Sequence, residues 1–278
     1  MNKKDFDNII NLALKEDVGK KDLTASLIPS ATIAEAEIVA RQKAVICGSA
    51  FVDAVFAKVD PKIKIAWKIK DGDEVYAKTV LCKLTGPARS LLTGERTALN
   101  FLQTLSSTAT LTKKLVTKLK STKTKLLDTR KTLPGLRLAQ KYAVKCGGGN
   151  NHRFGLYDAL LIKENHIAAC GSITNAVTNA KKLYPHKSIE IEVRNLHELR
   201  EALTTPVNII MLDNFPLKNI CKAVKINDGK IKLEISGGVN AKNIRPLAKT
   251  GVDYISVGAI TKTVIPVELS MLFYAPRL

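Results

Sequence analysis

The chain has 278 residues, 45% of them apolar, so it can bury one large core and is long enough for an α/β barrel with a small added domain. Lysine and arginine total 44 against 25 aspartate and glutamate residues, and the formal charge of +19 indicates acidic ligands or partners. Aromatic residues make up 5% and the lysines are scattered, which argues against a surface that stacks on or reads nucleic acid.

The cysteines and the termini bear on where the protein works. Five widely spaced cysteines form no CxxC pair and no cluster at zinc-ligand spacing, so we expect reduced thiols. No signal-peptide pattern opens the chain, and no stretch reaches the roughly 18 uninterrupted apolar residues of a membrane helix. These patterns predict a cytoplasmic protein with no membrane partner.

The first part of the chain alternates in the manner of a half-exposed sheet. Residues 34–40 and 63–69 have period-two patterns, and the second places isoleucines and a tryptophan on one face and lysines on the other. Residues 80–84 predict another strand, and residues 48–59 predict a helix packed on this sheet. We expect an α+β sandwich domain over residues 1–110, with the apolar tail 269–278 packing back onto it.

A different pattern follows a long amphipathic helix predicted from Pro87 to about Lys120. Short apolar runs alternate with helical segments, which is typical of a parallel α/β barrel. We expect an incomplete barrel of six or seven strands over residues 111–268, with the seventh strand hidden near residues 151–156. The six clear runs end at Leu127, Ile162, Val193, Leu212, Ile235 and Val257.

Chemically useful side chains stand where these six runs end. Barrel active sites are built from the carboxyl ends of strands and the loops that follow them, so these side chains should face one mouth. Each alone fits a solvated loop charge or a turn glycine, but six in succession favour a site. In chain order they are Asp128 with Arg130 and Lys131, then Lys163, Glu192, Asp213, Ser236-Gly237-Gly238 and Gly258.

The last two strand ends carry glycine and predict a phosphate site. Barrels bind phosphate at this position through backbone N–H groups and helix dipoles, and a Cβ atom would block the approach. The Ser236-Gly237-Gly238 motif is weak alone, but Gly258 one strand later strengthens it.

Five basic side chains are expected around the same mouth. His152 and Arg153 follow a run of three glycines, and with Arg130, Lys131 and Lys163 they call for a dianionic or polyanionic ligand. Two acids, Glu192 and Asp213, should stay ionised and could hold Mg²⁺ or sugar hydroxyls. A glycosidase-type acid and base pair is the competing interpretation of these two carboxylates, and it does not require so cationic a pocket.

Long motifs in chain order resemble the quinolinate phosphoribosyltransferase family, and the resemblance covers nearly the whole chain. Departures are small, with Ser107-Thr108 where Gly-Ile is usual and Leu133 where Thr is common. The motifs are Thr93–Gln103, Asp128-Thr129-Arg130-Lys131-Thr132, the run from Lys141 to Arg153, Leu161–His166, Glu190–Val193, Leu212–Phe215 and Ser236-Gly237-Gly238.

The resemblance implies transfer of a phosphoribosyl group from phosphoribosyl pyrophosphate to quinolinate. The products would be nicotinate mononucleotide, pyrophosphate and carbon dioxide, in de novo NAD synthesis with Mg²⁺ as cofactor. It also implies a homodimer in which Arg96 reaches the neighbouring subunit's site. By the family pattern, Arg130, His152, Arg153 and Lys163 hold the quinolinate carboxylates, Lys131, Glu192 and Asp213 contact phosphoribosyl pyrophosphate and the metal directly or through water, and Ser236, Gly237, Gly238 and Gly258 bind its 5′-phosphate.

Two other functions stay open at this point. A paralogue of the same fold, such as the molybdenum-transport-associated relatives, could use another substrate, although Arg96, His152, Arg153 and Lys163 together argue against that. A nucleic-acid-binding protein is suggested by the +19 charge alone.

Overall fold

The computed structural model describes residues 3–274, which form two compact units. The first unit contains residues 3–113, 133–148 and 263–274, and the second contains residues 114–132 and 149–262.

This division differs from the predicted one at residues 133–148, which were expected in the second domain. They contain helix α4 (Arg137–Cys146), whose Ala139 and Ala143 are buried in the same apolar cluster as the sheet of the first unit. Tertiary packing of these alanines, which the sequence pattern does not reveal, therefore decides where the segment belongs.

The first unit is built on a four-stranded antiparallel sheet with the order β12-β1-β5-β3. The C-terminal strand β12 pairs along β1, as expected of the tail up to Tyr274, while residues 275–278 lie outside the described part. The strands are β1 (Ile33–Ala40), β3 (Lys64–Trp67), β5 (Val80–Pro87) and β12 (Leu269–Tyr274), with a separate pair β2 (Ala44–Val45) and β4 (Glu74–Val75).

Helices cover this sheet, and one of them was not predicted. In α1 (Lys3–Val18), Phe6, Ile9, Ile10, Ala13 and Leu14 pack on the core at the i, i+3, i+4, i+7, i+8 spacing of an amphipathic helix. That spacing is the signal that would have found it. The other helices of the unit are a short 3₁₀ turn (Ala25–Leu27), α2 (Ser49–Val59), most of α3 (Ala88–Lys118) and α4.

The second unit is the predicted incomplete α/β barrel. Six parallel strands have the order β6-β11-β10-β9-β8-β7, and Asn150 extends the β6 edge by pairing with Leu127. This one-residue bridge stands where a seventh strand was sought, next to the predicted segment 151–156. The strands are β6 (Lys125–Leu127), β7 (Leu160–Ile162), β8 (Ile189–Val193), β9 (Ile209–Asp213), β10 (Lys232–Ser236) and β11 (Tyr254–Ser256).

The barrel strands are almost wholly buried because helices cover parallel sheets, and every residue of β8 is buried. Since the strands are parallel, their carboxyl ends share one edge of the sheet, the mouth. Within residues 3–274, no helix is both long and apolar enough to span a membrane. The helices of this unit are α5 (Glu164–Cys170), α6 (Ile173–Leu183), α7 (Leu196–Ala202), α8 (Leu217–Asn227), α9 (Ile244–Ala248) and α10 (Ala259–Lys262).

Candidate active site

A cavity of about 670 Å³ opens at the mouth. Gly258 lies beside it, since a Cβ atom there would approach the Lys131 side chain to 3.0 Å. Arg96 belongs to the first unit, where it is exposed on α3. The predicted site residues that line the cavity are Arg130, Lys131, His152, Arg153, Lys163, Glu192, Asp213, Ser236, Gly237 and Gly238.

Lys163 and Glu192 form the ion pair at the centre of this cavity. Lys163 Nζ lies 2.8 Å from Glu192 Oε2, and the glutamate side chain is nearly buried whereas the lysine is 44% exposed. Lys163 lies between the end of β7 and the start of α5. Its backbone N–H donates a hydrogen bond to His166 Nδ1. The pair therefore presents an ammonium group with hydrogen-bonding capacity left for a ligand.

The loop that carries His152 and Arg153 is held by two aspartates. The fully buried Asp128 accepts hydrogen bonds from the His152 backbone N–H at 2.8 Å and from the Asn151 side chain at 2.6 Å. Asp158 accepts the backbone N–H groups of residues 154 and 155 at 2.6 and 2.9 Å. Asp128, which follows β6, thus holds the loop in place and does not itself line the cavity.

Arg130 and Arg153 place two positive charges close together. Burial lowers the pKa of the Arg153 guanidinium below its ordinary value, and repulsion from Arg130 lowers it further. Glu190 and Asp158 oppose this shift without cancelling it. A site in which like charges repel inside a partly buried cavity is favourable for a bound anion.

The glycine side of the mouth is shaped by its backbone. Gly237 has a φ of +94°, and a Cβ atom there would clash with the Asn214 side-chain oxygen. Gly238 also has positive φ, but an added Cβ atom would meet nothing within 4 Å. Only glycine therefore fits at Gly237, whereas Gly238 leaves open space in front of the backbone.

The helices after Gly238 and Gly258 contribute weaker dipoles than the sequence predicted. Helix α9 begins at Ile244, several residues beyond Gly238, and α10 after Gly258 has only four residues. A macrodipole needs several aligned turns, so the N–H groups of the loop are the main donors for an anion on this side.

Glu192 and Asp213 offer a donor set that suits a hard cation. Both line the cavity, and their carboxylate oxygens are the ligand type that Mg²⁺ prefers. Each is partly engaged, Glu192 with Lys163 and Asp213 Oδ2 with the Asn214 amide at 2.9 Å, which leaves further lone pairs on every oxygen. The residues present therefore fit Mg²⁺.

Several cavity residues were not predicted. They are apolar or small and uncharged, so a search for charged groups at strand ends passes over them; they are Thr129, Leu161, Met211, Asn214 and Ser256. Two buried acids, Glu190 and Glu234, were also missed. Side chains alternate along a strand, so the i, i+2 spacing of Glu190 to Glu192 and of Glu234 to Ser236 could have placed them on the site side.

Known families and proteins were compared with the chain. A family profile described as the N-terminal domain of quinolinate phosphoribosyl transferase matches residues 22–106, and one described as the C-terminal domain matches residues 108–272. Together they cover nearly all of the described residues.

Individual proteins agree with this match. The chain is 42% identical, over 98% of its length and 94% of the relative's, to a probable nicotinate-nucleotide pyrophosphorylase (carboxylating) of Bacillus subtilis. It is 38% identical, over 96% of its length and 82% of the relative's, to a quinolinate phosphoribosyltransferase (decarboxylating) of Nicotiana tabacum. A solved nicotinate-nucleotide pyrophosphorylase of Francisella tularensis superposes with a TM-score of 0.96 at 48% identity, covering 98% of this chain and 97% of that one.

Proposed function

The chain belongs to the quinolinate phosphoribosyltransferase family, and we propose that it catalyses the decarboxylating reaction for which its relatives are named. In this proposal the phosphoribosyl group of phosphoribosyl pyrophosphate passes to the ring nitrogen of quinolinate. The products are nicotinate mononucleotide, pyrophosphate and carbon dioxide, as a step of NAD synthesis in the cytoplasm.

The observation that carries this proposal is the concentration of basic side chains at one mouth. Arg130, His152, Arg153 and Lys163 line one cavity, and two of them are arginines near enough for one to lower the pKa of the other. Quinolinate brings two carboxylates, and guanidinium groups bind carboxylates through paired hydrogen bonds. These four residues form what we call the side-chain half of the site, assigned to the dicarboxylate.

The other groups suit phosphoribosyl pyrophosphate and form the backbone half. The loop of Ser236, Gly237 and Gly238, with Gly258 beside it, offers backbone N–H groups for a 5′-phosphate, and open space lies in front of Gly238. Lys131, Glu192 and Asp213 line the same cavity and are assigned to the pyrophosphate, the ribose and Mg²⁺. When bound, Mg²⁺ supplies charge neutralisation for the departing pyrophosphate.

The residues have distinct tasks in the reaction. Lys131 stabilises negative charge on the leaving group as the bond to the ribose breaks. Glu192 and Asp213 orient the ribose so that the pyridine nitrogen attacks in line. The side-chain half grips the carboxylate that is retained. The positive ring nitrogen stabilises the electron pair that stays on the adjacent carbon when carbon dioxide leaves, and a proton from water then binds to that carbon.

A second copy of the chain completes the site in this proposal. Arg96 is exposed on α3, so it is accessible to a partner subunit, where it would add a cation to the side-chain half. The homodimer then becomes a requirement for activity. A nucleic-acid partner has no support beyond the net charge.

The function is tested by incubating the purified protein with phosphoribosyl pyrophosphate, Mg²⁺ and either quinolinate or nicotinic acid. We expect nicotinate mononucleotide and carbon dioxide in equal amounts from quinolinate, and no turnover without Mg²⁺. Nicotinic acid lacks the second carboxylate and should react poorly. Reaction with nicotinic acid but not with quinolinate would overturn the substrate assignment.

A further inference from the structure

Three titratable side chains meet inside the barrel beneath the side-chain half. His152 Nε2 lies 2.8 Å from Glu190 Oε2 and 3.8 Å from Glu234 Oε2. Glu190 is 4% exposed and Glu234 is fully buried. The three side chains line a second cavity of about 310 Å³, and His152 and Arg153 line both this cavity and the mouth. The cluster therefore lies between the two spaces.

The hydrogen bonding of the imidazole defines which ring nitrogen carries the proton. His152 Nδ1 accepts the backbone N–H of Arg153 at 2.7 Å, so it cannot itself be protonated in this geometry. The proton of the neutral ring is then on Nε2, facing Glu190. A metal ion at Nε2 would need the lone pair there, so the cluster suits a proton better than a cation, although its three ligand atoms lie within 4.8 Å of one another.

The two glutamates differ in what they can do for His152. Glu190 Oε2 lies 2.8 Å from Nε2, a short contact that is not aligned as a hydrogen bond, whereas Glu234 Oε2 is 1 Å further away. The other Glu190 oxygen and both Glu234 oxygens have no hydrogen-bond partner among residues 3–274. Burial, followed by repulsion from Glu190, raises the pKa of Glu234 to about 8, which favours its protonated form. Glu190 is therefore the acceptor that His152 faces.

We propose that Glu190 is a positioning residue, which holds His152 as the Nε2–H tautomer and through it fixes the main chain of Arg153 at the mouth. His152 then belongs to the side-chain half by supporting Arg153, since both of its ring nitrogens face protein atoms. The role resembles that of the groups behind a metal-binding histidine, which set its tautomer and orientation. The inference rests on the proposed function only for its kinetic consequences.

The direct test is the tautomer of His152, measured by long-range ¹⁵N–¹H correlation on the histidine-labelled protein at pH 7. The His152→Gln variant identifies the resonances among those of the four histidines. We expect the Nε2–H pattern in the unliganded protein. A proton on Nδ1, or on both nitrogens, would overturn the proposal whether or not the protein turns over quinolinate.

The kinetic test compares substitutions that keep or remove the acceptor. Glu190→Leu removes it and should raise the KM for quinolinate about tenfold or more, with the KM for phosphoribosyl pyrophosphate within about twofold. Glu190→Gln keeps a carbonyl oxygen and should restore the KM for quinolinate to within about threefold of the parent value. Glu234→Leu, the matched control in the same cluster, should stay within the same limit.

Three kinetic results would contradict the positioning role. They are an unchanged KM for quinolinate in Glu190→Leu, equal losses in the Leu and Gln variants, or equal losses at Glu190 and Glu234. If Glu190→Leu does not fold, the tautomer in the parent protein decides. Absence of any reaction with quinolinate would reject the proposed function, and the tautomer measurement would still decide the inference.

Discussion

The two halves of the mouth bind anions by different physical means. The side-chain half relies on basic side chains. Asp128 holds the loop that carries Arg153, and Glu192 forms an ion pair with Lys163. The backbone half relies on Gly237 and Gly238, which have no side chain and therefore leave the backbone accessible to a ligand. The first half should therefore be sensitive to truncation of side chains and the second to the addition of a single methyl group.

Truncation of Arg153 should give the largest effect. Arg153→Ala removes a partly buried cation that binds a carboxylate. We expect kcat/KM for quinolinate to fall about 100- to 1,000-fold. The KM for phosphoribosyl pyrophosphate should change little. Steady-state kinetics with each substrate varied in turn checks this, and the exposed helical Arg200→Ala serves as the control. An unchanged KM for quinolinate would show that Arg153 does not bind the dicarboxylate.

Addition of a methyl group at Gly237 should give a smaller effect with the opposite substrate pattern. Gly237→Ala forces a contact with Asn214 at positive φ, so we expect the KM for phosphoribosyl pyrophosphate to rise about tenfold to a hundredfold. The measurement is the same pair of titrations.

Gly229→Ala is the matched control for this variant. Gly229 also has positive φ, but nothing lies within 4 Å of an added Cβ atom, and it is outside the mouth cavity. It should lose about 1–2 kcal/mol of stability and keep normal KM values. A similar KM change in both glycine variants would mean that general strain, and not the phosphate site, explains the result.

Mixing of subunits tests whether the side-chain half extends across a dimer. Arg96→Ala and Lys163→Ala should each be nearly inactive, and refolding them together should recover about one quarter of parental activity. Half of the randomly formed dimers would then carry one intact site. Activity is measured on dimers whose mixed composition is verified by mass spectrometry. Verified mixed dimers without recovered activity would leave Arg96 outside the site.

The last effect concerns stability as a function of pH. The folded-state pKa of Glu234 is raised to about 8 from an ordinary 4.5, so the folded protein loses stability from this group as the pH rises between those values. Glu234→Gln cannot ionise, and its melting temperature relative to the parent should therefore increase from pH 5 to pH 8. Thermal unfolding at several pH values measures this difference in melting temperature, and Glu16→Gln, at an exposed position, serves as the control. A difference that is flat with pH would contradict the buried, protonated state of Glu234.

Much of the fold follows from local patterns in the sequence. Period-two alternation predicted β1 and β3 of the first unit, and the six apolar runs predicted every strand of the barrel to within one residue at its carboxyl end. The sequence could not reveal that residues 133–148 join the first unit, because that depends on the packing of two alanines far from the sheet in sequence. Helix α1 was missed although its spacing was readable.

The sequence predicted the charged and glycine residues of the site, but not the neutral residues that line the cavity or the buried acid that faces His152. Charged and glycine positions at strand ends predicted ten of the residues that line the cavity. The neutral residues Met211 and Asn214 carry no chemical signal of their own, and their role depends on the barrel geometry. Whether Glu190 faces His152 or solvent depends on the side of the strand it occupies, which becomes clear once Glu192 is placed at the mouth.

A crystal structure with quinolinate bound tests the division of the mouth most directly. We expect both carboxylates of quinolinate within hydrogen-bond distance of Arg130, Arg153 or Lys163, with the loop at Ser236-Gly237-Gly238 left free for a phosphate. Quinolinate bound to the glycine loop, with the arginines still facing each other without an anion, would contradict it.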